Sequence, residues 1–441
     1  MASDIHSNPP KFAPTGFIVG DPGARAFHTL TRRAVLGIIF SFIFLAYFGI
    51  GLKEDFSLSI SMIAMYAALP ALFLERNLAL DWAKLGAYLI FVYSILLTKL
   101  SATGPNISSA SMYYLIVLYF PFVFTVARTA ITDRLYENAI RFFLNCMIVI
   151  SVIAVVQFLS QFVVRLSWVF NISLIIPRAI VDKGGWNTGA DAGSFFKANG
   201  FFLREPSELS NLLGFAILIE FLYFRRLLRL AVYGVGILLS FSGTGMFVAA
   251  AGLLIPTKSK ALLRAAVILV VGFAIIPPLD AFVFDGYFLH RLDEFNREGS
   301  SAWARFIAPQ SVVGAGMSSF ERTWLGNGSG SLAPSLNMYA DIWYEGRWEI
   351  NGPTWAKLLY EYGILGAAAG VLFLIVCLWR SRGPAELKIA GFYAWLASGG
   401  QLLQPVFLAV IFGLIILWPK NWQLPSRRSA KLGRSYTEAK R

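Results

Sequence analysis

Charge is scarce in this chain. Asp, Glu, Lys and Arg make up 14% of the 441 residues and apolar residues 57%, whereas a soluble domain is roughly one-quarter charged. That balance excludes a soluble globule. Cysteine is nearly absent: Cys146 and Cys377 both fall inside apolar runs, so neither a disulfide framework nor a thiolate metal cluster is available. Of three histidines, His6 and His28 precede the first apolar run and only His290 lies elsewhere, which leaves little material for a metal site or a Ser-His-Asp triad. No GxxxxGKS/T or GxGxxG sequence opens a helix, which removes the case for a nucleotide site. There is also no fixed-period repeat and no ten-residue alternation of the kind a membrane barrel shows.

What is present is long apolar sequence, with a mean hydropathy of +0.62 and a formal charge of +13. A basic excess on such a chain belongs in cytoplasmic loops rather than on nucleic acid. Apolar runs at about 34 to 52, 56 to 74, 85 to 98, 111 to 127 and 142 to 164 are each near the roughly 20 residues that cross a bilayer. Arg25, Arg32 and Arg33 put the 1–33 tail inside, and alternation then puts Arg76 with Lys84, and Arg128 with Arg134 and Arg141, on the same side. A sixth run ends at Arg225, Arg226 and Arg229. The next, Leu230 to Ile255, is too long for one span and has basic clusters at both ends. Its polar break, Ser240 to Gly245, therefore predicts a hairpin of two short helices. A ninth run covers about 265 to 284 and a tenth 354 to 379, and 389 to 418, broken at Ser398 to Gln401, repeats the hairpin logic. The expected fold is all-α, with about 12 transmembrane helices and both termini cytoplasmic. Residues 34–164 hold helices 1–5, 165–206 a first outer segment, 207–284 helices 6–9, 285–353 a large outer loop, 354–418 helices 10–12, and 419–441 a basic tail.

Chemistry is expected in the two long outer segments, because structureless loops of that length usually have a function. The first carries Arg165, Arg178, Lys183, Lys197 and Arg204; the second carries Arg291, Arg297, Arg305, Arg322 and Arg347 and no lysine. A planar, permanent cation suits bidentate binding of phosphate or carboxylate; the alternative is surface ion pairing with Asp293, Glu294, Glu298 and Glu321. Arg204 stands beside Pro206 at an expected helix N-terminus, a place that favours anions, although it also has Glu205 as a neighbour with which to pair. In the second loop Asp341, Glu345 and Glu349 are four apart, among Tyr339, Trp343, Tyr344, Trp348 and Trp355. Aromatic faces stack on sugar rings and a carboxylate deprotonates a hydroxyl, while an interfacial helix with belt aromatics and solvated acids has the same composition. Lys357 and Glu361 enter the outer end of the tenth run, where a structural ion pair with an arginine is as natural as catalysis.

Four stretches, Gly200 to Ser210 (GFFLREPSELS), Leu239 to Met246 (LSFSGTGM), the Arg305 region running to Trp324 to Gly330 (WLGNGSG), and Leu358 to Gly366 (LLYEYGILG), resemble the O-antigen polymerase and ligase superfamily of bacterial envelope proteins, over roughly 200 to 380. The resemblance implies an inner-membrane enzyme with a large periplasmic loop between helices 9 and 10, acting on a glycan carried by undecaprenyl diphosphate. It implies essential periplasmic arginines, which by position are Arg204 and Arg305, then Arg291 and Arg297. Two departures matter. Ligases of the superfamily carry a histidine just before the last stretch, where this chain reads Glu349 to Pro353, and many relatives have Arg after Ser in the turn where Gly243 and Thr244 stand here. The first favours a Wzy-type polymerase over a ligase. The expected reaction is glycan transfer without metal or cofactor, with Arg204, Arg305, Asp341 and Glu349 as catalytic residues. Arg178, Arg291, Arg297, Arg322, Arg347, Trp343 and Trp348 would bind substrate, and a chain-length regulator and export proteins would be partners. A transporter or flippase is the alternative of another class, and it calls for midplane charges and broken helices there.

Overall fold

The computed structural model describes residues 29–53, 56–101, 108–127, 132–164, 166–182, 191–192, 195–254, 306–340 and 352–420, with residues 278, 293, 296 and 303 between them. Helices dominate: α1 Thr29–Phe44, α2 Ile60–Leu74, α3 Trp82–Ser101, α4 Ser109–Tyr119 and α5 Thr132–Ser160 come first. They are followed by α6 Pro206–Ile219, α7 Leu227–Ser240, α8 Thr244–Leu254, α9 Ala308–Gly316, α10 Phe320–Leu325 and α11 Leu332–Ala340. The last three are α12 Thr354–Trp379, α13 Ala385–Ala397 and α14 Pro405–Ile411. Helices α6 and α14 each finish in a π turn, Glu220–Phe224 and Phe412–Ile416. Four helical stretches among the described residues, Trp82–Lys99, Thr132–Ser160, Pro206–Phe224 and Thr354–Trp379, are long and apolar enough to cross a membrane. The protein is an all-α membrane protein. The expected total of twelve spans includes the run at 265 to 284, of which only Pro278 is among the described residues.

Where the sequence reads as unbroken apolar runs, the backbone inserts small antiparallel ribbons. β1 (Gly49–Lys53) pairs with β2 (Phe56–Ser59), and β3 (Leu78–Leu80) with β4 (Phe124–Val126). Apolar residues of three to five positions carry no period that separates strand from helix end, so the first and fourth runs look longer than their helices, which stop at Phe44 and Tyr119.

The interior is held by aromatic packing. Phe91 stacks on Phe373 with ring centroids 5.9 Å apart, and Phe122 on Phe412 at 5.7 Å. Polar tips inside this apolar core are satisfied in a chain: Trp395 Nε1 donates to Tyr119 Oη at 2.6 Å, and Tyr119 Oη donates to the Leu402 carbonyl at 3.0 Å. Such bonds matter because water is absent to replace them. A second, smaller core of Trp303, Ala308, Val312, Val313, Leu332, Leu336 and Ala356 packs the α9–α11 segment onto the first turn of α12.

The two ends of the bundle differ in charge. One gathers Arg380 on Asp81 at 2.7 Å, Arg382 on Asp133, and Arg226 on Glu220 at 2.6 Å. Lys84, fully buried there, donates to the Ile416 carbonyl at 2.9 Å, one of the carbonyls that the terminal π turn leaves without a helical partner. The other end carries the segments that resemble the polymerase superfamily.

Candidate functional site

The site end is built first around Arg204. Its side chain is 1% exposed. Nε and Nη2 both donate to Glu208 Oε1, at 3.0 and 2.5 Å, Nη1 donates to Asp182 Oδ2 at 3.3 Å, and the Arg204 backbone N–H donates to Glu208 Oε2 at 3.0 Å. Burial opposes the guanidinium charge, but Glu208 and then Asp182 outweigh it, so the Arg204 pKa is raised above its ordinary value. Local sequence explains half of this arrangement. Glu205 has extended backbone, Pro206 occupies the first helical position of α6, and Glu208 follows in the first turn, where an acid complements the helix dipole and lies one turn from Arg204. Asp182 arrives from the segment between α5 and α6. Its backbone N–H donates to the Tyr47 carbonyl at 2.7 Å, and Ser57 Oγ donates to its Oδ1 at 2.7 Å. Behind Arg204, Gln157 Nε2 donates to Asn199 Oδ1 at 2.7 Å, and the N–H groups of Asn199 and Gly200 both donate to Gln157 Oε1 at 3.0 Å. One buried polar network thus ties α5, the 195–204 segment, the β1–β2 ribbon and the start of α6.

The Ser-Phe-Ser-Gly-Thr-Gly turn docks on the same helix start. Ser210 Oγ donates to the Ser242 carbonyl at 2.6 Å and accepts from the Gly245 N–H at 2.9 Å, while Thr244 Oγ1 donates to the Ser207 carbonyl at 3.2 Å. A Cβ on Gly245 would meet the Ser210 carbonyl, and one on Gly214 the Gly245 carbonyl. The glycines therefore let α6 and α8 cross backbone to backbone.

The second pair of stretches joins in the same way. Gly363, at φ 64° and ψ −170°, breaks α12. The carbonyls freed by that break receive the glycine loop: Asn327 N–H donates to Tyr360 O at 2.8 Å and Gly328 N–H to Glu361 O at 3.0 Å. Gly326, Gly328 and Gly330 all have positive φ, the conformation glycine adopts at least cost. Glu361, fully buried, accepts from the Leu332 N–H at 3.3 Å and lies 3.6 Å from Lys357 Nζ. Its cationic partner is therefore a lysine on its own helix. The loop also reaches α4, where Ser108 N–H donates to Ser329 O at 2.8 Å.

Two crevices link these pieces. One, a narrow crevice, is lined by Glu208, Asn211, Leu212 and Phe215 of α6 and by Gln401, Gln404 and Val406 with the start of α14. The other is lined by Thr244, Phe247, Phe306, Tyr393, Ala397, Ser398 and Gly399.

Of the residues expected from sequence, Arg204 lies in this constellation but with its fork held by carboxylates, not presented as an open anion site. Arg178 begins the 3-10 turn Arg178–Ile180. Arg322 is exposed on α10, between Phe320 and Trp324. Arg291, Arg297, Arg305, Asp341, Trp343, Arg347, Trp348 and Glu349 lie outside the described residues. Sequence reasoning missed Glu208, Asp182, Asn211 and Gln401. Only Glu208 had a signal, four residues after Arg204.

Fold and site together define an all-helical membrane protein that keeps a dense polar site at one end of its bundle. A family model described as WcaD colanic acid polymerase matches residues 35–416, and the chain belongs to that family. Among curated proteins none matches. The match covers nearly the whole chain, far beyond the 200 to 380 stretch of the resemblance, and it makes this a Wzy-type polysaccharide polymerase, a membrane enzyme of glycosyltransferase type.

Proposed function

We propose that this protein polymerises a bacterial envelope glycan at the outer face of the inner membrane, moving a growing chain from undecaprenyl diphosphate to the terminal sugar of the next lipid-linked repeat. The observation that carries this reading is the packing of the superfamily stretches at the end of the bundle away from the Arg226, Arg380 and Arg382 cluster. Basic loops stay cytoplasmic, so the site end is periplasmic, where a lipid-linked repeat is presented after export.

The arginines of the 285–353 loop, with Arg305 foremost and Arg291, Arg297 and Arg347 beside it, grip the diphosphate and stabilise it as its charge develops on leaving. Arg204 acts one step back: it orients Glu208 and fastens Asp182. Transfer needs no metal, because the leaving group is already activated and the counter-charge comes from guanidinium groups. The absence of a histidine before Leu358 favours polymerase over ligase.

Deleting the gene and sizing the lipid-linked and exported glycans tests the reading. A polymerase leaves single repeats on lipid. Full-length lipid-linked chains lacking a final acceptor would instead make it a ligase, and repeats trapped on the cytoplasmic face would make it a flippase.

A further inference from the structure

The crevice under the start of α6 is unusual in what it lacks. Three side chains that line it, Glu208, Asn211 and Gln401, are 8%, 5% and 7% exposed. Among the described residues, Asn211 Oδ1 and Gln401 Oε1 are buried acceptors with no hydrogen-bond donor. The Gln401 amide is oriented by its own Nε2, which donates to the Gly399 carbonyl at 3.2 Å, so its oxygen is the end left over. Glu208 Oε1 accepts two bonds from Arg204, whereas Oε2 accepts, among the described residues, only the Arg204 backbone N–H, leaving a lone pair on Oε2. Buried acceptors without donors cost free energy until a donor arrives. A ligand that suits three acceptors brings N–H or O–H donors, and a sugar brings several O–H groups. The rest of the wall is apolar, with Leu212, Phe215, Val406 and Phe407, which fits the C–H face of a pyranose.

We propose that this crevice receives the acceptor sugar, with Asn211 and Gln401 accepting from its hydroxyls and Glu208 Oε2 taking the proton of the attacking hydroxyl. The inference deepens the polymerase reading and rests on it. In the step, the acceptor oxygen forms a bond to the donor's anomeric carbon and the bond from that carbon to the diphosphate oxygen breaks. The diphosphate leaves with the electron pair, and the acceptor's proton goes to Glu208. Arg204 is then a positioning residue. Its two contacts to Oε1 hold the carboxylate so that the other oxygen is the one offered, which assigns the proton acceptor to Glu208 in place of Asp341 or Glu349.

The test uses purified full-length protein in lipid discs, with a lipid-diphosphate-linked repeat as donor and the same repeat on a short alkyl chain as an acceptor that cannot donate. Glu208→Gln keeps the shape and the acceptor for Arg204. It should lower kcat by about a hundredfold or more, the lower range for loss of a general base, with the acceptor KM little changed. Gln401→Leu and Asn211→Leu should raise the acceptor KM about tenfold and leave the donor KM alone. Because a purely structural role for Gln401 would show as lost abundance with normal KM, each variant's folded yield is measured beside its kinetics. Should Glu208→Gln fail to accumulate, the two leucine variants decide, and normal acceptor KM values in both overturn the proposal. Full activity of Glu208→Gln, or a loss confined to Asp341→Asn or Glu349→Gln, overturns it as well. Wild-type protein that cannot extend the acceptor would remove the polymerase reading itself, and this proposal with it.

Discussion

Arg204→Ala is the perturbation whose magnitude follows most directly from the geometry. The substitution removes one cation from between two carboxylates, and both are left inside the protein: Glu208 keeps one backbone donor, and Asp182 keeps Ser57 and its own loop contacts. Breaking a buried pair from one side costs about 3 to 5 kcal/mol, because an uncompensated charge remains. Since each 1.4 kcal/mol is tenfold, the folded population should fall at least a hundredfold relative to unfolded or locally opened forms. Asp182 is the weaker end, bound to Arg204 at 3.3 Å against 2.5 Å for Glu208, so the segment between α5 and α6 should release from the β1–β2 ribbon before α6 moves. Detergent-solubilised protein should then melt well below wild type, and hydrogen exchange should rise first at residues 178–182 and 49–59. Arg204→Lys, with one ammonium in place of a three-contact fork, should recover part of the loss. The triple variant Arg204→Met, Glu208→Gln, Asp182→Asn should melt closer to wild type than Arg204→Ala does, because no net charge stays buried. If Arg204→Ala melts like wild type while Arg204 remains paired in the parent, the clamp assigned here is wrong.

Other outcomes test separate parts of the argument. Gly245→Ala places a methyl on the Ser210 carbonyl and Gly363→Ala places one on the Trp324 backbone. Each should destabilise by about 3 kcal/mol, the upper range for overpacking, measured as loss of folded protein on fluorescence-detected gel filtration; normal yield of both would contradict the close crossings. Reporters fused after Gly245 or Gly400 should read periplasmic and those after Arg226 or Arg382 cytoplasmic, and a reversed score at Gly245 would invert the sidedness of the site. Arg305→Ala should lower polymerisation by tenfold or more at wild-type abundance, with Arg305→Lys intermediate. Turnover on lipid-linked repeats should survive excess chelator, and a loss restored by divalent cations would refute transfer without metal.

How legible was this molecule? Helices and breaks follow from long-range composition, so the interruptions at Ser240 to Gly245 and Ser398 to Gln401 could be placed from the polar residues between basic clusters. The observed helices break at those points, at 240–244 and 397–405. The short ribbons at 49–59 and 124–126 were invisible because an apolar stretch of that length fits strand and helix end equally well. In the site, arginine as a residue type drew attention to position 204, which the fold buries between two carboxylates, but charge pattern alone does not say which carboxylate a fork will meet. Glu208 is a helical neighbour and could have been chosen. Asp182 belongs to a segment whose return to Tyr47 is a tertiary event, and Asn211 and Gln401 come together only when α6 meets the turn before α14. The glycines at 326, 328, 330 and 363 entered the sequence reading only as letters of two short stretches, yet each permits a backbone contact or turn that a side chain would block or strain.

The break at Gly363 has a consequence for how a polymer is handled. Because Tyr360 and Glu361 give their carbonyls to Asn327 and Gly328, the 326–330 loop is stitched to a membrane helix by main-chain bonds that no side-chain rotation can undo. Its root cannot ride up and down as material accumulates above it. On the mechanism proposed above, the height of the bond-forming point over the bilayer is then the same in the first cycle and in the last. The lengthening product is the moving part in that mechanism, drawn out past a stationary anvil that the lipid carrier meets at one depth.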